Sequence, residues 1–100
     1  MSNGDAAEMS SKLYWVYILL CSNDTYYTGY TTDLDKRYAA HLNGTASKYT
    51  RSFKPVKIIQ SWEIAGDKSL AMRIEKNIKQ LSRVEKDKII ANPSLLEALM

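Results

Sequence analysis

The pattern of apolar and polar positions along the chain predicts three strands. Residues Tyr14 to Cys21 are apolar at both parities, which is typical of a strand that is covered on both faces and lies centrally in a sheet. The turn residues 22–25 separate it from Tyr26 to Thr31, so the two segments are expected to form a hairpin. Val56 to Ile64 repeats the strand pattern, with Pro55 at its entrance, where a missing N–H does least harm. The pattern therefore predicts a short antiparallel sheet.

The length of the turn decides which hairpin side chains share a face of the sheet. Tyr17 and Tyr27 point the same way only if the connecting loop holds an odd number of residues. A loop of Asn23 to Thr25, with Ser22 opposite Tyr26, meets this condition. We therefore predict this register, with both phenols on one face.

Helical spacing predicts a first helix after the hairpin. Leu34, Tyr38 and Leu42 recur at four-residue steps and are expected to form its buried stripe. Arg37 and His41 are also four residues apart, so they share a second stripe that borders the first. The helix should therefore present an arginine and a histidine beside its apolar face.

Two further helices are predicted in the second half of the chain. The first runs from Lys68 to Leu81, with Glu75 at the edge of its apolar face. Ser82 and Glu85 have the spacing of a capping box, so the next helix should begin there and run to about Ala91. The order β-β-α-β-α-α indicates an α/β (α+β) fold, a small three-stranded antiparallel sheet flanked by helices.

The chain has the size of one domain. We expect residues 1–12 to be a flexible polar tail, 13–91 to be the domain, and 92–100 to be an apolar tail or a short helix. That tail could fold back on the core or meet a partner chain. The longest apolar run is far shorter than the roughly 20 residues of a bilayer span. With a single cysteine, Cys21, expected to be buried, the composition favours a cytoplasmic protein with no membrane partner.

The basic residues are concentrated in the middle of the chain. The net charge is only +3, but residues 36–62 contain six lysines and arginines, one histidine and no acidic residue. This distribution favours a polyanionic partner, with a solvated basic surface as the alternative. Residues 44–55 are expected to form a loop whose aromatic residues either meet the partner or pin the loop to the core. The predicted nucleic-acid contacts are Lys36, Lys48, Tyr49, Arg51 and Lys54.

Several residues, in order and at suitable spacing, carry a resemblance to a known family: Tyr17, Tyr27-Thr28-Gly29, Asp33, Arg37, His41 and Glu75. Together they resemble the GIY-YIG nuclease superfamily. More narrowly, the segments WVYIL, YTGYTTD, KRYAAH, SKYTR and LSRVEK are similar to its small single-domain bacterial branch. One departure is that the first triplet reads Trp15-Val16-Tyr17 and has no glycine.

The resemblance implies a metal-dependent endonuclease that hydrolyses phosphodiester bonds in DNA, in repair or processing, with Mg²⁺ or Mn²⁺ as cofactor. It implies that Tyr17 and Tyr27 orient or deprotonate the attacking water and that Arg37 holds the scissile phosphate. His41 would assist one tyrosine and Glu75 would bind the metal. Branched or damaged DNA is the expected partner, and RNA is the alternative. Members of the family often carry a later asparagine, for which Asn92 is the candidate here.

Each of these residues also has a structural interpretation. A phenol needs a perturbed pKa to act as a base, and one carboxylate needs waters and phosphate oxygens to complete an octahedral metal site. Glu75 could simply pair with Lys79 four residues on, and His41 could be a packing residue. The alternative functions are a catalytically weak or inactive nucleic-acid-binding module of the same fold, and a protein-interaction domain that uses Leu95 to Met100.

Overall fold

The computed structural model describes residues 13–100, so the polar tail predicted for residues 1–12 lies outside the described part of the chain. The strands are β1 (Leu13–Cys21), β2 (Tyr26–Thr31) and β3 (Pro55–Ala65). The helices are α1 (Leu34–Leu42), α2 (Lys48–Ser52), α3 (Lys68–Lys79), α4 (Arg83–Ala91) and a terminal 3-10 helix (Pro93–Leu99). None of them is long and apolar enough to cross a membrane.

The sheet has the strand order β2-β1-β3, and both pairings are antiparallel. The predicted central position of β1 is confirmed. Its even-numbered residues Val16 and Ile18 pack into a core formed with β3, α3, α4 and the 3-10 helix. Its odd-numbered residues Tyr17, Leu19 and Cys21 form a second cluster against α1. Both faces of β1 are therefore buried, which explains why its sequence is apolar at both parities.

The hairpin register differs from the predicted one by two residues. Leu20, not Ser22, lies opposite Tyr26, and Tyr17 lies opposite Gly29. The prediction of Ser22 opposite Tyr26 is wrong because the chain leaves the ladder at Leu20 and uses a longer turn. A shift of two residues preserves the face on which each side chain lies, so Tyr17 and Tyr27 still share one face.

The buried stripe of α1 also differs from the prediction. Leu34 and Tyr38 pack against the second cluster, but Leu42 is 46% exposed and His41 is only 1% exposed. At about 3.6 residues per turn, the seventh residue after Leu34 lies about 20° from it around the helix, whereas the eighth lies about 80° away. His41 therefore completes the stripe in place of Leu42.

The prediction that residues 44–55 form a loop is wrong in part, because they contain the short helix α2. Ser47 is its N-cap, and its hydroxyl accepts a hydrogen bond from the backbone N–H of Thr50 at 3.1 Å. Thr50 is fully buried, while Tyr49 and Phe53 remain partly exposed. The helix thus turns one side chain of this basic segment into the protein.

The end of the chain folds back on the core. Leu96 is buried and Leu99 packs against the same cluster. The Trp62 indole donates to the Pro93 carbonyl at 2.9 Å, and the Asn77 amide donates to the Leu99 carbonyl at 2.7 Å. Between the two outcomes that the sequence leaves open, the structure shows the one in which the tail covers the core.

Candidate active site

An open cleft of about 430 Å³ brings together four of the five predicted catalytic residues. Tyr17 comes from β1, Tyr27 from β2, Arg37 from α1 and Glu75 from α3. The fifth, His41, is buried behind Tyr17. The other residues that line the cleft are Tyr14, Gly29, Tyr30, Thr31, Thr32 and Lys68.

Gly29 makes room for the Tyr17 side chain. The two residues lie opposite each other in the hairpin, and a Cβ atom on Gly29 would lie 2.5 Å from the Tyr17 hydroxyl oxygen and 2.7 Å from the ring carbon that bears it. Such contacts are far closer than van der Waals contact. The glycine therefore lets the phenol cross its neighbouring strand and reach His41.

Four polar side chains form a chain of hydrogen bonds that runs inward from the cleft. The Tyr17 hydroxyl lies 2.7 Å from His41 Nε2, and His41 Nδ1 lies 2.7 Å from the Thr50 hydroxyl. The Thr50 hydroxyl in turn lies 2.8 Å from that of Ser47. Both imidazole nitrogens are therefore paired, as buried polar groups require.

The protonation of this chain follows from its burial and its neighbours. Burial raises the pKa of Tyr17, Tyr27 and Glu75 raise it further, and Arg37 opposes the rise. Burial and the positive charge of Arg37 lower the pKa of His41. At neutral pH the site therefore holds a protonated phenol next to a neutral imidazole.

Tyr27 is held between two other rings. Its ring stacks on Tyr49 with a centroid distance of 6.0 Å and an interplanar angle of 20°, and it meets the edge of His41 at 5.1 Å. The Tyr49 hydroxyl is hydrogen-bonded to Thr25 and accepts from the Asn23 amide at 3.2 Å. Tyr49 thus packs α2 against the hairpin and supports Tyr27 from the side.

Glu75 is the acidic residue of the cleft. Its side chain is 19% exposed and lies 3.7 Å from the Lys79 ammonium, the pair that the sequence offers as a structural interpretation. Among residues 13–100, no three histidine, cysteine, aspartate or glutamate side chains form a group that could hold a metal. A hard cation such as Mg²⁺ fits a single carboxylate when waters and phosphate oxygens supply the other ligands, and the open cleft leaves space for them.

No asparagine lines the cleft in the part of the chain that the structure describes. Asn92 forms the end of α4, and its side chain accepts from the Ser94 hydroxyl at 2.8 Å. Asn77 is bound to the terminal 3-10 helix. Asn92 therefore does not join the cleft residues.

The predicted nucleic-acid contacts are spread over the surface around the cleft. Lys36 lines a second groove of about 560 Å³ that shares Arg37 with the cleft. Lys48, Arg51 and Lys54 do not line the cleft, and Lys54 donates to the carbonyl of Leu42 at 3.1 Å. In the acid-free segment, residues 36–62, the cations that line the cleft or this groove are Lys36 and Arg37 of α1. Among the predicted contacts, the cations that lie apart are Lys48, Arg51 and Lys54.

Sequence reasoning did not identify three lysines as lining the cleft or a groove beside it. Lys68 lines the cleft, and Lys79 and Lys86 line a smaller groove of about 250 Å³ that shares Tyr27 with it. All three come from α3 or α4, outside the acid-free segment, so the charge pattern gave no signal for them. It also missed Thr50, because the spacing of Ser47 and Thr50 indicates only an N-cap that binds the Thr50 backbone N–H, whereas the contact of the Thr50 hydroxyl with His41 depends on tertiary packing.

Comparison with known proteins identifies relatives over most of the chain. The model of the GIY-YIG catalytic domain matches residues 13–88. A UPF0213 protein of Natronomonas pharaonis is 43% identical over 79 residues, which are 79% of this chain and 92% of that protein. A UPF0213 protein of Halobacterium salinarum is 49% identical over 75 residues, 75% of this chain and 96% of that one.

A solved structure supports the same relationship. The solution NMR structure of a UPF0213 protein from Bacillus halodurans is 40% identical to this chain, with a TM-score of 0.51. The match covers 79% of this chain and 83% of that one. The shared sheet and helices confirm the predicted fold class. With a matching domain model and relatives of this similarity, the chain belongs to the GIY-YIG family, among its small UPF0213 members.

Proposed function

We propose that this protein is a metal-dependent endonuclease that hydrolyses phosphodiester bonds in DNA, in repair or processing. The observation that carries the proposal is the convergence of Tyr17, Tyr27, Arg37 and Glu75 on one open cleft, with His41 bonded to Tyr17 from behind. These residues come from four different elements. Family membership supports a nuclease, and the geometry supports the assignment of roles.

Arg37 and Lys68 suit the phosphate. Both are exposed and line the cleft, so a phosphate that enters the cleft from solvent can reach their charged groups. An arginine offers paired N–H donors that match two phosphate oxygens. These donors would also stabilise the negative charge that grows on the phosphate oxygens as the water attacks.

Tyr17 and His41 suit the activation of water. The Tyr17 phenol is protonated at neutral pH, so it cannot simply act as a phenolate base. It can take a proton from the attacking water while its own proton passes to Nε2 of neutral His41, 2.7 Å away. This coupled transfer avoids a free phenolate beside Glu75. Tyr27 is the second phenol that can orient the water.

Glu75 would hold the divalent cation, Mg²⁺ or Mn²⁺, together with waters and oxygens of the substrate. Such a cation supplies Lewis-acid neutralisation of the charge on the phosphate. An oxygen-only site with one protein ligand is the kind in which Mg²⁺ is commonly shared with a phosphate substrate.

Two grooves that adjoin the cleft suit the DNA on each side of the scissile bond. Lys36 lines the groove that shares Arg37 with the cleft, and Lys79 and Lys86 line the groove that shares Tyr27. Most contacts that fix DNA in place are made to its phosphates by such side chains. Tyr49 also lines the groove that shares Tyr27 and would stack on a splayed base, while Lys48, Arg51 and Lys54, outside the two grooves, would contact the backbone.

A cleavage assay on branched, nicked and single-stranded DNA tests the proposal. Glu75→Gln keeps the shape of the side chain and removes its charge, and Glu63→Gln, at an exposed position of β3, is the matched control. We expect Mg²⁺- or Mn²⁺-dependent cleavage by the natural chain and by Glu63→Gln, and a loss of about 100-fold or more in Glu75→Gln.

Equal cleavage by Glu75→Gln and the natural chain would show that the proposed metal site is wrong. If none of the three proteins cuts, while all bind DNA in a salt-sensitive way, the chain is a binding module of the same fold. Arg37→Ala tests the phosphate contact under either outcome, because it should weaken DNA binding and, if the chain cuts, cleavage as well.

A further inference from the structure

Behind the cleft, Thr50 and Ser47 continue the hydrogen-bonded chain that begins at Tyr17 and His41. We infer that Thr50, backed by Ser47, is a positioning residue that fixes the proton of His41 on Nδ1 and so directs the lone pair of Nε2 at the Tyr17 hydroxyl. This inference rests on the proposed function for its catalytic consequence. Its structural part, the tautomer of His41, can be measured without DNA or metal.

Because Thr50 is fully buried, its hydroxyl proton must also find an acceptor among these partners, and the side-chain donors and acceptors then permit two arrangements. A neutral imidazole has one donor and one acceptor nitrogen, and each hydroxyl has one proton. In the inward arrangement Tyr17 donates to Nε2, Nδ1 donates to Thr50, and Thr50 donates to Ser47. In the outward arrangement every one of these bonds is reversed. The choice between them is therefore the choice of the His41 tautomer.

The chemistry of the two hydroxyls favours the inward arrangement. A phenol is intrinsically a stronger acid and a poorer hydrogen-bond acceptor than the aliphatic hydroxyl of threonine, and although burial raises the pKa of Tyr17, Thr50 is buried as well. The stronger donor, Tyr17, should therefore give its proton to the imidazole, and the better acceptor, Thr50, should receive the imidazole N–H. Ser47 can accept from Thr50, and because it is half-exposed, its own proton can go to water.

The surroundings of His41 reinforce this dependence on Thr50. Facing its ring are Tyr17 from β1, Tyr27 from β2 and the Thr50 hydroxyl from α2, with Arg37 contributing charge from its own helix. Among these, the Thr50 hydroxyl is the partner of Nδ1. Without it, an Nδ1–H would be buried with no acceptor, which is unfavourable.

The catalytic consequence concerns the proton of Tyr17. Only with Nε2 unprotonated can His41 accept the phenol proton while Tyr17 takes one from water. In that step the Tyr17 O–H bond breaks, an Nε2–H bond forms, and the water proton joins the phenol oxygen. The Thr50 hydroxyl keeps accepting from Nδ1 and stabilises the resulting imidazolium.

The test uses ¹⁵N NMR of the imidazole, since His41 is the only histidine in the sequence and its signals need no assignment. A protonated ring nitrogen and an unprotonated one resonate at well-separated frequencies. We expect the natural chain and Thr50→Ser to carry the proton on Nδ1. Thr50→Val, which keeps the shape and removes the hydroxyl, should move it to Nε2. An Nε2–H tautomer in the natural chain, or an unchanged tautomer in Thr50→Val, overturns the inference.

Cleavage kinetics give the second readout. Thr50→Val should lower kcat about 10- to 100-fold, the range found for residues that hydrogen-bond a metal-bound histidine. KM should stay unchanged, and the dependence of kcat on pH should be displaced. Thr50→Ser should restore both. A lower kcat in Thr50→Val that Thr50→Ser does not restore counts against the positioning role. If the tautomers are as expected but no protein cuts, the proposed nuclease function fails and the tautomer assignment stands.

Discussion

The two faces of β1 are built for different purposes. On one face, Val16 and Ile18 pack against Ile74 and Ile78 of α3 in an apolar core. On the other, Tyr17 leads to His41 and Thr50, which are polar and almost completely buried. Burying polar groups is costly unless each is paired, and here each one is.

The difference shows how one strand serves stability and chemistry at once. Because side chains alternate along a strand, the even-numbered residues can serve the apolar core alone, while the odd-numbered face combines the packing of Leu19 and Cys21 with the positioning of Tyr17. The hydrogen-bonded face then rests on a strand whose opposite face is packed in the apolar core. A substitution in the apolar core should therefore affect mainly stability, whereas one at a polar side chain of the cleft should affect mainly activity.

The largest effect is expected at two neighbouring residues of α3. Ile74 is fully buried, so Ile74→Ala should lower the free energy of unfolding by about 2–5 kcal/mol. Glu75→Ala should change stability by less than about 1 kcal/mol, since it removes an ion pair with an exposed lysine. Urea unfolding and cleavage should be measured on both variants. Similar losses of stability in the two would contradict the division of roles.

Gly29→Ala should test how tightly the polar face is packed. The new methyl group would collide with the Tyr17 phenol, so Tyr17 must move away from His41. We expect a loss of about 1–3 kcal/mol in stability and, because a small displacement of a catalytic group is enough, a fall of about 100-fold in cleavage.

A double-mutant cycle provides the control for Gly29→Ala. Tyr17→Phe removes the hydroxyl whose position the glycine protects. If Gly29 acts through that hydroxyl, the two substitutions together should reduce cleavage no more than Tyr17→Phe alone. Fully additive losses would mean that Gly29 affects cleavage by another route.

The sequence was sufficient for the parts of the fold that depend on local patterns. The two-faced apolarity of β1 predicts its central position, and the spacing of Ser82 and Glu85 predicts the capping box that begins α4. The parity of the hairpin was predicted correctly although its pairing was not, because parity depends only on whether the loop length is odd. Its actual length depends on where the ladder ends.

The parts of the site that could not be predicted depend on tertiary contacts. The five-residue helix α2 is held by Thr50 on His41 and by Tyr49 on Tyr27, neither of which is visible in a local window. Lys79 and Lys86 belong to different helices and meet only after these pack. The four cleft residues were found by resemblance, since spacing alone did not require them to converge.

The polar face should also make stability depend on pH. The pKa of His41 is lowered in the folded protein, so between that value and the unfolded value near ~6.5 the unfolded chain binds more protons. Stability should therefore decrease as the pH falls below about 6.5. His41→Gln, followed by thermal unfolding at several pH values, should remove this part of the decrease. An equal decrease in the variant would contradict it.

The smallest effect is expected on DNA binding, at the groove beside Tyr27. This groove is lined by Lys79 and Lys86, which come from two helices that cover the apolar face. If net charge alone drives DNA binding, Lys86→Ala and Lys57→Ala, which each remove one positive charge, should weaken it equally. Lys57 is exposed on β3 and does not line the grooves, so our proposal predicts that only Lys86→Ala lowers the salt dependence, by about one unit of slope. Binding titrations at several salt concentrations, without metal, distinguish the two cases. Equal slopes in the two variants would mean that Lys86 makes no specific phosphate contact, whereas a change in Lys86→Ala alone would mean that the elements which stabilise the domain also guide its substrate.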